Sequence, residues 1–438
     1  MSYTPAQGVA ASPGTDVSFE EATFSKVTWR LLPLLFLCYV ASYLDRVNVG
    51  FAKLQMLQDL KFSETVYGLG AGIFFIGYFI FEVPSNIILH KVGARLWIAR
   101  IMITWGIISG AMIFVTTPEM FYVMRFLLGV AEAGFFPGVI LYLTYWYPSH
   151  RRGKITALFM TGIAISGVIG GPLSGWIMHA FPGVHGLTGW QWMFIIEAIP
   201  SLVLGVVVIF YLKDRIRDAH WLNEDEKRLL ESQIAQEQAD KTEVSLGQMF
   251  ADGKVWLSAI IYFCFVMGLY GVSFWLPTII KTTGVTDPLN IGLLTAIPYA
   301  VAAIAMFMIG RSADQHRERR WHVAIPAFLG CVGLLFSTVY DHNTLLAMAS
   351  LTLAAVGILT TLPLFWSLPT AFLSGAAAAA GIALINSLGN LAGFVSPYLV
   401  GWLKDATQST NTGMYVLAGS LLLGGLLTLA VPAKLVNK

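Results

Sequence analysis

The sequence predicts an all-α membrane protein, with twelve transmembrane helices in two parallel six-helix halves. Three observations carry this. Hydrophobic residues make up 56% of the 438 residues and charged residues only 12%, where a soluble globule has about 25% charged. The apolar residues gather into twelve stretches of the roughly 20 residues that a helix needs to cross a bilayer core. The two halves of the chain also share letters at one constant offset.

Taken in order, residues 1–29 hold Asp16, Glu20 and Glu21 but no apolar core of a cleavable signal, so they read as a cytoplasmic tail. The first half, 30–212, contains spans at 30–51, 67–89, 95–115, 119–146, 154–180 and 191–212. A polar linker, 213–254, follows. Its Asn223 and Glu226 have the spacing of a helix capping box, which predicts an amphipathic helix. The second half, 255–433, contains spans at 255–280, 290–311, 321–340, 344–366, 377–403 and 412–433. The "GAAAAAG" beside the eleventh span reads as helix or loop. Residues 434–438 form a second cytoplasmic tail. With both termini inside, 21 of the 27 Lys and Arg residues fall on inner segments, the bias expected of cytoplasmic loops. Lys53, Lys61, Lys281 and Lys404 are expected in outer loops.

The repeat is legible at two distant places. "FLCYV" (36–40) matches "YFCFV" (262–266), and Ala157, Leu158, Gly167, Leu173, Gly175 and Trp176 match Ala383, Leu384, Gly393, Leu399, Gly401 and Trp402, all at an offset of 226. Two parallel halves related along the membrane normal are a transporter architecture, with the site at the midplane between them.

Four charges interrupt the apolar spans of the first half: Asp45, Arg46, Arg125 and Glu132. Each costs about 2.5 to 3.5 kcal/mol at a helix centre in lipid, so the set would cost about 10 kcal/mol, as much as a whole domain's stability. They must face one another or a wet cavity. One reading is a structural ion-pair cluster locking the first and fourth spans, although buried pairs stabilise poorly beside apolar packing. The other is an anion site beside a proton site. The planar fork of an Arg suits a carboxylate, and an acid in a low dielectric holds its proton more readily. Arg125 and Glu132, seven apart, share a helix face. The second half offers neutral groups instead: Asn386 and Asn390, one helical turn apart, and Ser367. Tyr43 and Tyr78 are candidates to line the cavity. Glu82, Glu197, His90 and His179 read as structural or interfacial. Cys38, Cys264 and Cys331 are scattered through apolar segments, which is neither a disulfide framework nor a metal site.

Several long motifs carry a resemblance. "YLDRVNVGFAKLQM", "GAGIFFIGYFIFEVPSN", "VGARLWIARIMITWG", "RFLLGVAEAGFFPGVILYLTYWYP" and "GWQWMFIIEAIP" resemble the anion:cation symporters of the major facilitator superfamily, above all bacterial permeases for tartrate, phthalate and 4-hydroxyphenylacetate. The resemblance implies proton-driven symport of an organic anion, with protons as the coupling ion and no other cofactor. It makes Asp45 and Glu132 the proton-linked acids. It places the substrate carboxylate on Arg46, with Tyr43, Tyr78 and Asn390 nearby, and pairs Arg125 with the acids. Two departures stand out. His90 occupies the place in "HKVGAR" where the superfamily usually has Asp, and Thr161, Ile163 and Ser166 stand where sugar-acid carriers have an amide.

An exchanger or efflux carrier would share this fold. An enzyme would need a nucleophile, a base or metal ligands, and no such spacing occurs. No catalytic and no metal residue is therefore expected, nor any nucleic-acid partner. The expected partners are a small carboxylate and the bilayer of the inner membrane, met by a monomer.

Overall fold

Apolar runs separated by short capped turns fold here into helices of bilayer length. The structure, a computed structural model, describes residues 17–239, 252–371 and 375–437. All regular elements among them are helical, and they supply twelve membrane spans. In the first half these are α1 (Val17–Val47), α2 (Val49–Leu60), α3 (Glu64–Val92), α4 (Ala94–Ala111), α5 (Pro118–Glu132), α6 (Phe135–Thr144), α7 (Ser149–Met160), α8 (Gly162–Ala180) and α9 (Gly189–Tyr211). Helix α10 (Glu224–Ala239) lies in the linker. The second half contains α11 (Gly253–Thr282), α12 (Pro288–His316), α13 (Arg320–Val339), α14 (Thr344–Phe365), α15 (Ser367–Thr370), α16 (Gly375–Thr407) and α17 (Asn411–Ala430), and α18 (Ala433–Val436) closes the chain.

Side-chain caps fix many of the turns. Ser63 accepts from the Val66 amide, Thr117 from Met120, Asp287 from Asn290 and Asn343 from Leu346. Each satisfies a donor that the helix itself leaves open. In the linker, the Asn223 side chain accepts from the Glu226 amide at 2.8 Å, and Glu226 accepts from the Asn223 amide at 2.7 Å. The expected capping box is therefore present. Glu226 also takes Lys26 at 2.9 Å, tying α10 to the start of α1. Residues 240–251 of the linker, residues 1–16 and Lys438 lie outside the described residues.

The first span differs from its sequence expectation. Helix begins at Val17 rather than near residue 30, and after a break at Asn48 it resumes as α2 to Leu60. Lys53 is therefore buried inside a span, not in an outer loop. Its ammonium lies 3.4 Å from the Trp275 ring centre and 2.7 Å from Glu64 Oε2, and this ring and carboxylate replace the water it loses. Lys281 and Lys404 sit in the last turns of α11 and α16. The "GAAAAAG" stretch is the start of α16.

Two spans are broken where charges lie. The α1–α2 break comes directly after Arg46 and Val47. The α5–α6 break comes directly after Glu132 and Ala133, at Gly134, whose φ of 86° belongs to glycine. A side chain at Gly134 would also run into Ser85 Oγ, 2.2 Å from an ideal Cβ.

The halves meet through α3 against α16 and α8 against α12. Gly171 and Gly292 touch backbone to backbone. Glu64 of α3 pairs with Lys404 of α16 at 2.6 Å, and His179 with Asp287 at 2.7 Å. These cross-half contacts gather toward the face opposite the chain ends, where α3 and α12 begin.

Candidate functional site

Successive residues on an α-helix point about 100° apart. Ser42 and Arg46, four apart on α1, therefore share a stripe, while Asp45 faces another neighbour. Arg46 turns to α5 and meets Glu132. Its Nη2 and Nε both donate to Glu132 Oε1, the latter at 3.2 Å, and Ser42 Oγ donates to the same oxygen at 2.6 Å. The remaining guanidinium nitrogen, Nη1, donates to the Tyr270 hydroxyl of the second half at 2.8 Å. The Phe74 and Tyr78 rings each stand 5.4 Å from the guanidinium carbon, within cation–π reach. Glu132 is fully buried, and its Oε2 has no hydrogen-bond partner among the described residues.

Asp45 is equally buried but turned away from the cavity. It accepts from Trp105 Nε1 at 3.0 Å, Ser109 Oγ at 2.9 Å and Ser201 Oγ at 2.5 Å. The two charges adjacent in sequence thus belong to different surroundings. Sequence reasoning missed this shell, although Trp105 and Ser109 are four apart on α4 and so present one polar stripe inside an apolar helix.

Arg125 departs from expectation. Among the described residues it has no carboxylate within hydrogen-bond distance. Its Nε donates to the Gly70 carbonyl, and its Nη2 to the carbonyls of Ala71 and Arg46, each at 3.3 Å. The physical reason lies in where α1 and α5 stand relative to each other. Arg46 itself takes the Glu132 carboxylate, and Arg125, two turns earlier on α5, meets backbone acceptors along α3 and at the end of α1.

Arg46 and Tyr78 line a narrow cavity of about 40 Å³ with Tyr262, Tyr270, Asn386 and Asn390 of the second half. Asn386 Nδ2 also donates to Glu82 Oε1 at 3.3 Å, and Ser387 Oγ to its Oε2 at 3.4 Å. Glu82, read from the sequence as structural, therefore crosses between the halves beside the cavity. The structure does not bring Tyr43 or Ser367 to this wall. The Tyr43 hydroxyl shares a hydrogen bond of 3.0 Å with Ser273, and Ser367 donates to the Leu364 carbonyl at 2.6 Å.

Asn390 lines the same cavity as Arg46 from the second half and cannot titrate. Asn390→Ala is expected to weaken ligand binding by about 2- to 10-fold, the worth of one neutral hydrogen bond. The pH dependence of transport should stay unchanged, and Asn386→Ala should act similarly but less, its amide being shared with Glu82. Calorimetry alongside uptake at several pH values checks this. Full affinity with altered pH dependence would contradict it.

Residues 35–397 match the Major Facilitator Superfamily. A protein of Pseudomonas putida whose name describes a metabolite transport protein, NicT, is 51% identical over 95% of this chain and 96% of its own length. An Agrobacterium vitis protein whose name describes a tartrate transporter is 51% identical over 94% of this chain and 91% of its own. The quinolone resistance transporter of Acinetobacter baumannii is 41% identical over 96% and 97%. Among solved structures, a bacterial homolog of the lysosomal transporter Spinster, inward-facing and occupied, superposes with a TM-score of 0.74 at 14% identity. It covers 92% of this chain and 96% of that one, and shares the fold. These relatives and this fold are those of transporters, not enzymes, and the chain belongs to the Major Facilitator Superfamily as a multi-pass membrane transporter.

Proposed function

We propose that the protein takes up a small organic anion, an aromatic or hydroxylated carboxylate, by proton-coupled symport with alternating access. The observation that carries this reading is the Arg46–Glu132 pair at a cavity shared by both halves. Glu132 occupies the guanidinium that a substrate carboxylate would need, so the two acids compete for one fork. A proton on Glu132 removes its charge and frees Arg46 for the substrate. Loss of that proton restores the internal pair and expels the substrate. Proton and anion then travel together, and no cofactor is required.

Asp45, held by three neutral donors, is the second proton-linked acid. Glu132 Oε2, without a partner, is the atom that receives the proton. The name of the Agrobacterium relative supports a hydroxylated diacid as substrate. The Lys and Arg bias supports both termini in the cytoplasm, and we take the protein to act as a monomer in the inner membrane. Exchange or efflux is a second reading, favoured by the relative named for quinolone resistance.

Purified protein in liposomes should accumulate labelled tartrate, or an aromatic acid such as 4-hydroxyphenylacetate, uphill when the outside is acidified. Exchange without net accumulation under that pH step would favour the second reading. No movement of any of a panel of aromatic acids, hydroxy diacids and sugar acids would refute carboxylate transport.

A further inference from the structure

A second cleft opens on the face opposite the chain ends, about 320 Å³ in volume, between α2, α3, α11 and α16. Three ammonium groups converge on it, from Lys53, Lys281 and Lys404, against a single carboxylate in the wall, Glu64. Glu64 is shared between Lys53, 2.7 Å from its Oε2, and Lys404, 2.6 Å from its Oε1. Asp405 lies next in sequence to Lys404 but is committed elsewhere. Its oxygens accept from the Glu64 and Thr65 amides at 3.3 and 2.7 Å and from Thr65 Oγ1 at 2.5 Å. Lys281 has no carboxylate partner among the described residues and donates only to the Leu54 carbonyl, at 3.2 Å.

Even with Asp405 counted, positive charge exceeds negative here. Lys53 sharpens the imbalance. It is only 4% exposed, and its ammonium meets Glu64 without the alignment of a hydrogen bond. A buried cation with incomplete partners is costly, and a second anion relieves that cost. Leu54 and Leu57 give the cleft an apolar side, and Thr278 and Thr282 add hydroxyls. This combination suits a carboxylate with a short organic body better than a bare inorganic ion.

We propose that this cleft is a second anion-binding site, which captures the organic carboxylate before it reaches Arg46. The inference rests on the carboxylate reading of the central cavity. The incoming carboxylate takes Lys281 first and then displaces Glu64 from Lys53 and Lys404. Because Glu64 belongs to the first half and Lys404 to the second, this displacement releases one of the ties between the halves. Arrival of the anion and opening of that face are thereby linked.

The test is calorimetric titration of tartrate and of 4-hydroxyphenylacetate into full-length protein in lipid nanodiscs. Arg46→Ala should remove the tighter binding event and leave a weaker one that declines with added salt, as exposed charges are screened. Adding Lys281→Gln should abolish the weaker event, and Lys281→Arg in its place should retain it. Lys281 carries no ion pair, so these variants leave the Glu64 clasp intact, and the charge-conserving Arg controls for folding. In uptake from that face, Lys281→Gln alone should raise KM about tenfold, one lost charge-assisted bond, with kcat unchanged. Complete loss of binding in Arg46→Ala overturns the second site and leaves the central reading standing. A residual event indifferent to Lys281→Gln also overturns it, as does absence of binding to wild-type protein. Binding untouched by Arg46→Ala but abolished by Lys281→Gln supports this cleft and removes Arg46 from recognition.

Discussion

Arg46→Lys is expected to weaken carboxylate binding by about 10- to 100-fold while the protein remains folded. A guanidinium offers two parallel bonds to a carboxylate where an ammonium offers a point charge. Losing one charge-assisted bond costs about 1.5–3 kcal/mol, and each 1.4 kcal/mol is tenfold in affinity. The third nitrogen matters as well. Nη1 bonds Tyr270 across the half-to-half boundary, and a lysine cannot hold Glu132, a substrate and Tyr270 at once. The variant should therefore also lose the alignment that Tyr270 confers on the head group. Calorimetric titration with the transported acid, alongside thermal melting, checks both parts. Unaltered affinity in a folded variant would move the anion site away from Arg46.

Glu132→Gln is expected to abolish uphill accumulation while preserving exchange of substrate for substrate. The amide mimics the protonated acid in shape and charge, so Arg46 is permanently free to take the anion, and no proton needs to arrive. The same change leaves a buried guanidinium without its counter-charge. Breaking a buried pair on one side costs about 3–5 kcal/mol, so the variant should melt earlier than wild type. A saturating carboxylate should restore much of that loss by taking the vacated place, because a ligand that binds only the folded state stabilises it. Two assays decide the matter: labelled-substrate exchange, and uptake driven by an imposed pH step. Normal accumulation with the normal proton ratio would exclude Glu132 from coupling.

The spans were legible because hydrocarbon imposes a blunt rule. A stretch of apolar residues long enough to cross must be a helix, since no other local structure satisfies its own backbone there. The constant offset of 226 made the two halves legible for a similar reason, as matched letters survived at matched places in helix packing. The encounter of Arg46 with Glu132 was not legible. It depends on where α1 and α5 stand relative to each other, which the periodicity of either helix alone does not give. Arg125 and Glu132 do share one face of the unbroken helix α5, but seven residues at 1.5 Å each set them about 10 Å apart along it, and Arg46 of α1 reaches the carboxylate instead. Asp45 illustrates the opposite case, because the 100° step between neighbours already separates it from Arg46. Lys53 was misplaced because a charge in sequence was taken to mark a loop, whereas an aromatic ring and a carboxylate replace its water. Asn386 and Asn390 could be grouped on one face from spacing alone. That Asn386 reaches Glu82, over three hundred residues earlier, required the fold.

The partners of the buried charges bear on how the polypeptide is made. Asp45 is held by Trp105, Ser109 and Ser201, Glu132 is bonded through one oxygen by Ser42 and Arg46, Arg125 donates to three carbonyls, and Glu197 accepts from Ser174 at 2.6 Å. Every one of these donors and acceptors is synthesised before residue 212. As the nascent chain leaves the ribosome, its first span carries Asp45 and Arg46 into the insertion machinery with no partner yet made. Relief for Asp45 begins with the third span and for Arg46 with the fourth, and the sixth completes the set with Ser201. The early spans therefore have reason to linger beside the insertion channel until their companions arrive, and then to enter the lipid together as a charge-compensated group. The later half carries little charge in its helix interiors and can follow span by span, adding Tyr270 to Arg46 and Asn386 and Ser387 to Glu82.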